Sequence, residues 1–207
     1  MFDEAGRPAA PPEIRLDDDP FRLFGVWLDE AKETEPNDPN AMTLATSTPQ
    51  GVPSARIVLL KSLDARGFTF YTNTTSRKGG ELAADPRAAL LFHWKTRRRQ
   101  VRVEGVVEPV TPAEADAYFA SRARISRLGA VASDQSRLLP DRQVLEDRVR
   151  AADEQYPGDT VPRPDHWSGY RVVPALLEFW QDMPFRLHDR TVFQRDGGGW
   201  SAHKLYP

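Results

Sequence analysis

Apolar positions along this chain change period several times, and each change marks a predicted element. Phe21, Phe24, Leu28 and Ala31 recur at helical spacing behind Asp19, a side chain suited to capping, and Pro20, whose fixed φ suits a first helical position. Trp27 widens that stripe, so a helix with one buried face opens the fold. The period then drops to two. Strands are expected at Met42–Thr48, Ala55–Leu63, Phe68–Thr72, Ala88–Trp94 and Gln100–Val110, with turn chemistry at Pro49–Gly51 and Asp64–Gly67. Val101, Val103, Gly105 and Val107 alternate with Arg102, Glu104 and Val106, mostly the pattern of a strand with one buried and one wet face. Thr111, Pro112 and Glu114 form a capping box that starts a helix toward Tyr118 and Phe119, and another helix is expected over Asp141–Gln155. Strands return at Tyr170–Val173, Leu176–Trp180, Arg186–Arg195 and Trp200–Leu205, the last two joined by a glycine turn at Gly197–Gly199. Short strands, tight turns and two or three helices predict an antiparallel barrel of α+β class. It is expected to form a single domain over residues 19–207, behind an irregular arm at residues 1–18.

Composition narrows the chemistry. A chain of 207 residues, 40% hydrophobic and 10% aromatic, can bury a full core. The 28 basic and 30 acidic side chains leave a net charge of −2, which gives no global field for nucleic acid or an anionic membrane. Cysteine is absent, so disulfides, thiolate nucleophiles and sulfur-ligated metals are excluded. The start of the chain lacks the pattern of a secretory signal and no later run is long and apolar enough to span a bilayer, so a soluble cytoplasmic protein is expected.

Three segments carry candidate chemistry. In FYTNTTSRKGGEL, Phe70–Leu82, a strand ends and a helix opens with Ser76 as its cap, which puts Arg77 and Lys78 in the first helical turn. Cations there oppose the helix dipole by roughly 0.3–1 kcal/mol, so they are either anion ligands or two solvated surface charges. In Glu178–Arg190, an extended Arg186–Arg190 would put Arg186, His188 and Arg190 on one face. Such a row could grip a phosphorylated ring or pair with nearby carboxylates. In ARIVLLK, Ala55–Lys61, a regular pleat turns Arg56 and Lys61 to opposite faces, so a shared ligand needs a bulge or a second subunit. Arg97, Arg98 and Arg99 read as a solvated turn, and His93, His166 and His203 show no metal-ligand spacing. No dinucleotide fingerprint, phosphate loop or nucleophile elbow is present.

In order and spacing, ARIVLLK, FYTNTTSRKGGEL, RRRQVRVEG (Arg97–Gly105), SDQS (Ser133–Ser136) and LEFWQDMPFRLHDR (Leu177–Arg190) resemble the pyridoxamine 5′-phosphate oxidase family. The resemblance runs from about residue 19 to 207. It implies a split β-barrel homodimer with flanking helices and FMN held non-covalently at the subunit interface. By that similarity, FMN would be held by Arg56, Ile57, Val58, Leu59, Leu60, Lys61, Tyr71, Thr72, Arg77, Lys78, Gln100, Gln135, Ser136, Trp180 and Arg190. The substrate, pyridoxamine or pyridoxine 5′-phosphate, would meet Lys61, Tyr118, Arg122 and Ser126 at its phosphate and the catalytic pair Arg186 and His188 at its ring. Oxygen would accept the electrons, giving hydrogen peroxide and pyridoxal 5′-phosphate; no metal, nucleic acid or membrane partner is implied. Two other readings are a phenazine-pathway flavin oxidase and a non-catalytic binder of FMN or pyridoxal 5′-phosphate. The chain departs from the family pattern at three places. The arm offers Arg7 and Arg15 but no tyrosine, Ala123, Ile125 and Val131 stand where proline, aspartate and tryptophan are expected, and Asp182, Met183 and Pro184 replace a glycine-bearing stretch.

Overall fold

The computed structural model describes residues 11–207, so the first ten residues of the expected arm, with Arg7, lie outside the described residues. Helix α1 spans Pro20–Thr34, and the Asp19 side chain accepts the Arg22 N–H as the sequence predicts. Its apolar stripe plugs a curled sheet. Phe24 is fully buried and meets Phe68 and Phe92 edge-on with ring centroids 4.9 and 4.8 Å away, while Trp27 meets Phe179 at 5.1 Å. Truncating an aromatic ring in such a core costs about 3–5 kcal/mol.

The strands are β1 (Ala41–Ser47), β2 (Pro53–Leu59), β3 (Ser62–Asp64), β4 (Gly67–Asn73), β5 (Arg87–Trp94), β6 (Arg99–Pro109), β7 (Trp167–Gln181), β8 (Asp189–Asp196) and β9 (Gly199–Lys204). They form one antiparallel sheet in the order β2-β1-β5-β6-β7-β4-β3, with β8 also on β7 and β9 on β8. Strand β7 divides the barrel. One edge is taken by β6 along its length, whereas the other pairs with β4 over Trp167–Val172 and with β8 over Leu176–Gln181. Helices α2 (Arg77–Ala84), α3 (Pro112–Ser121), α4 (Arg124–Ala132) and α5 (Arg142–Gln155) complete the α+β half-barrel. A second, smaller core of Phe119, Leu128, Ala152, Val161 and Trp167 lies under α3, α4 and α5.

Four expectations need correction. The expected strand Ala55–Leu63 is two strands, because β2 ends at Leu59 on β1 and, after Leu60 and Lys61, β3 pairs with β4 instead. Tyr170–Val173 and Leu176–Trp180 are one strand: Pro174, which has no N–H to give, sits opposite Gly105 at a register shift where Ala175 of β7 is the extra residue. There a side chain on residue 105 would come within 2.0 Å of the Val173 carbonyl, so glycine is required. The segment Arg186–Arg190 is not an extended row. Pro184 opens a short 3-10 turn, Phe185 and Arg186 take left-handed φ values of 60° and 64°, and β8 begins only at Asp189. Arg97 and Arg98 lie in the β5–β6 turn and Arg99 opens β6, and the run is not merely solvated. Arg97 donates to the Glu30 carbonyl, Arg98 pairs with Asp182, and Arg99 pairs with Glu30 and lies 4.5 Å from the Trp27 ring.

The described part of the arm is irregular but docked. Ile14 is buried, its N–H reaches Asp189 at 2.8 Å, its carbonyl accepts Lys204 at 2.8 Å, and Gln181 donates to the Pro12 carbonyl. Arg15 pairs with Asp17. Among the described residues no helix is long and apolar enough to cross a membrane.

Candidate active site

A cavity of about 900 Å³ opens where β2, β4, α2, α3 and α4 converge. Arg56, Ile57, Val58, Leu59 and Lys61 line one side. The break after β2 lets Arg56 and Lys61 share this space within one chain, which removes the opposite-face conflict of a continuous strand. Tyr71 and Thr72 come from the end of β4, and Lys78 from the first turn of α2.

Local sequence explains how Lys78 gets inside. Ser76 caps α2, and Gly79 lets the helix press on the preceding turn: a Cβ there would sit 2.0 Å from the Thr74 carbonyl. Lys78 is only 8% exposed, and its Nζ meets neutral oxygens: Gln135 at 2.7 Å, Thr72 at 3.1 Å and Ser76 at 3.2 Å. Burial, helped by the Arg56 charge, pushes its pKa down against the opposing pull of Glu81. Arg77 turns outward to Glu81 at 2.8 Å and does not line the cavity. Glu81 also accepts from Thr46 at 2.5 Å, Ser54 at 2.6 Å and Arg56 at 3.3 Å. Burial alone would raise its carboxyl, but hydrogen bonds from Ser54, Thr46 and Arg77 outweigh that and hold its pKa at about 2.

The other wall is aromatic. Tyr118 and Trp167 lie nearly parallel to Tyr71, with centroids 4.1 and 5.5 Å away and interplanar angles of 21° and 9°. Gly169 makes the stack possible, because a Cβ there would reach 2.6 Å from the Tyr71 ring. Lys61 Nζ lies 5.9 Å from the Tyr118 ring centre. The Arg122 guanidinium lies 4.9 Å from the Trp167 ring centre, and its Nη1 is buried without a hydrogen-bond partner among the described residues. Ser126 and Gln135 complete this side, together with Asn73, Ala123 and Trp167, which the sequence did not single out as cavity residues. A tryptophan inside a strand reads as core, and only the pairing of Trp167 with Asn73 reveals its place.

The remaining sequence candidates do not line this cavity, and those on β6, β7, β8 and the turn before β8 form a second group away from it. Leu60 is buried behind it, and Ser136 is exposed with φ at 70°. Gln100 stands opposite Trp180 in register, and the Trp180 ring lies 4.7 Å from that of His188. Arg190 donates to Glu178 at 2.8 Å, and Glu178, itself buried, also accepts from Arg102. Burial would raise the Glu178 carboxyl, but Arg102 and Arg190 outweigh it and the pKa falls. Arg186 is exposed in the 3-10 turn. The two groups occupy opposite ends of β7. At about 3.3 Å per residue, residues 167 and 180 are separated by roughly 43 Å of strand.

The cavity can therefore take planar, anionic molecules: it offers a flat aromatic wall and three cations, Lys61, Lys78 and Arg122, with no carboxylate partner among the described residues. Among the described residues no cluster of metal-ligating side chains accompanies them.

Residues 28–156 match the family described as Pyridoxamine 5′-phosphate oxidase. Residues 167–207 match the one described as Pyridoxine 5′-phosphate oxidase C-terminal dimerisation region, which supports the expected homodimer. The chain is 62% identical over 196 residues to the Pyridoxine/pyridoxamine 5′-phosphate oxidase of Gluconobacter oxydans, covering 95% of this chain and 98% of that one. It is 59% identical to the protein of that name from Granulibacter bethesdensis, covering 100% of this chain and 99% of the relative. Among solved structures, PhzG from Burkholderia lata 383, in complex with tetrahydrophenazine-1-carboxylic acid, has a TM-score of 0.87 at 34% identity, covering 95% of this chain and 94% of that one. A pyridoxamine 5′-phosphate oxidase-related, FMN binding protein from Nostoc punctiforme shares the fold, with a TM-score of 0.73 at 16% identity over 92% of this chain and 100% of that one. With one family model spanning more than half its length and close relatives along nearly all of it, the chain belongs to the pyridoxamine 5′-phosphate oxidase family.

Proposed function

We propose that the chain is an FMN-dependent oxidase that converts pyridoxamine or pyridoxine 5′-phosphate to pyridoxal 5′-phosphate, with O₂ as acceptor and H₂O₂ as product. The observation that carries this reading is a pair of these cations in one cavity, Lys78 and Arg122, without carboxylate partners among the described residues and set around an aromatic wall. Buried charge without a counter-ion is expensive, and two phosphate-bearing planar molecules would supply both counter-ions. The names of the close relatives point the same way.

In this reading Arg56, Thr72, Lys78 and Gln135 hold the FMN phosphate from within the cavity, with Ile57–Leu59 and Tyr71 along the flavin, and Leu60, Arg77 and Ser136 support them from outside its lining. Lys61, Tyr118, Arg122 and Ser126 hold the substrate phosphate. Gln100, Trp180, Arg186, His188 and Arg190 of one protomer complete the cavity of the other, which accounts for their absence from the cavity of their own chain. When bound, FMN supplies the two-electron acceptor that oxygen regenerates. The chain's own contribution is orientation. Cations fix the phosphate end of the substrate, Arg186 and His188 fix the ring end, and the stacked Tyr71, Tyr118 and Trp167 exclude water from one wall. Residues 19–207 act as one unit in the cytoplasm.

Anaerobic mixing of FMN-loaded protein with pyridoxine 5′-phosphate tests the proposal. Flavin absorbance should bleach and recover on admitting air. Bleaching by an aromatic carboxylic acid but not by the phosphate ester would favour the phenazine type of substrate. A yellow protein that neither bleaches nor consumes oxygen would be a binding protein.

A further inference from the structure

We infer that Asp182 is a positioning residue for His188, held in place by Arg98 and selecting the protonated ring nitrogen of the histidine; this rests on the oxidase reading above. Asp182 directly follows β7 and is fixed at two points: its N–H donates to the Arg98 carbonyl at 3.0 Å, and one carboxylate oxygen pairs with the Arg98 guanidinium. Its other oxygen lies 3.1 Å from His188 Nδ1. Both side chains are largely covered, at 16% and 18% exposure, although the turn between them, Pro184–Leu187, is exposed. The histidine ring is held against Trp180 on another side. Arg98 itself takes a left-handed φ of 53° at the β5–β6 turn, so the arginine run gains a task that its sequence did not suggest.

Two hydrogen bonds compete for Nδ1. The Met183 N–H lies 3.3 Å away and would need a bare Nδ1, whereas the Asp182 carboxylate needs a protonated one. A bare Nδ1 would set its lone pair against a carboxylate. The charged acceptor is also closer, so the neutral ring carries its proton on Nδ1. Nε2 is then bare and accepts, rather than donates, a hydrogen bond at the substrate ring. A glycine in place of Asp182 has no means to impose this choice.

Histidine ¹⁵N resonances of the FMN-loaded full chain decide the point, measured at alkaline pH where imidazoles are neutral, with His188→Gln for assignment among the 4 histidines. Nδ1–H is expected in the unmutated protein and Nε2–H in Asp182→Ala, where only the Met183 amide remains. Nε2–H in the unmutated protein, or a tautomer indifferent to Asp182→Ala, overturns the inference. In turnover, Asp182→Ala should lower kcat/KM roughly 10- to 100-fold with flavin content unchanged, and Asp182→Asn, still an acceptor, should fall between. Full activity in Asp182→Ala overturns it equally. If that variant does not accumulate, Arg98→Gln keeps the carboxylate but loosens it and should shift the tautomer partway; no shift counts against the pairing. An unmutated protein that fails to oxidise pyridoxine 5′-phosphate would sink the oxidase reading instead, and the resonances would still judge the pair.

Discussion

The cavity and the β7–β8 end of the sheet hold their cations in opposite ways. Around the cavity Arg56 has Glu81 beside it, but Lys78 meets only neutral oxygens and Arg122 has a buried nitrogen with no partner among the described residues. At the β7–β8 end, Arg102 and Arg190 share Glu178, and His188 faces Asp182. Arg171, buried on β7 between Glu108 at 3.1 Å and Glu114 at 2.7 Å, belongs to the second kind. Desolvating a charge is costly in both regions, but for Lys78 and Arg122 no carboxylate among the described residues offsets that cost. The first region is built for an anion from outside, whereas the cations of the second are already paired within the chain before, under the shared-site reading, they meet the partner's cavity.

Substitutions can break this contrast. The largest expected effect is on flavin affinity in Lys78→Met: loss of about 2–3 kcal/mol, roughly 30- to 150-fold in Kd by fluorescence titration, while the flavin-free protein melts no lower than the parent. A lower melting point would mean that Lys78 is scaffold after all. Glu178→Gln should behave in the opposite sense, lowering stability by about 2 kcal/mol in denaturant titrations because Arg102 and Arg190 lose their shared anion. Arg122→Ala should raise KM for pyridoxine 5′-phosphate about tenfold with flavin retained, a hydrogen-bond loss to a charged group of the order of 1.5 kcal/mol. Flavin loss instead would move Arg122 to the cofactor side. The smallest effect is acid sensitivity. The folded-state pKa of Glu81 lies near 2, below its ordinary 4.5, so its stabilisation is complete above pH 4.5 and lost as pH falls toward 2. Unfolding followed from pH 6 downward should therefore change little until about pH 4.5, and Glu81→Gln should shallow the acid limb.

What the sequence revealed was local. Asp19, Ser76 and Thr111 act through neighbours three residues away, so α1, α2 and α3 begin where their side chains require. Helix α4 was not located, since Ala123 makes no capping hydrogen bond and nothing else announces a start. The continuity of β7 depends on a bulge at its own Ala175, set by pairing with β6, a partner more than sixty residues away. The turn at Pro184 broke a regular alternation that looked like a strand. Motif order was enough to name nearly every cavity residue on β2, β4 and α2, whereas Trp167 waited on strand pairing. Grouping was beyond reach. Nothing in one dimension shows that Tyr71 and Trp167 stack, or that Trp180 lies at the far end of the strand that carries Trp167.

That length of β7 has a genetic corollary. Under the shared-site reading, each dimer holds two centres, and each draws one half from either subunit. A copy lacking Lys78 and a copy lacking His188 would each be dead by itself. Mixed in one cell, they would pair into dimers with one centre doubly broken and one fully restored, so two silent alleles would rescue each other to a fraction of normal output.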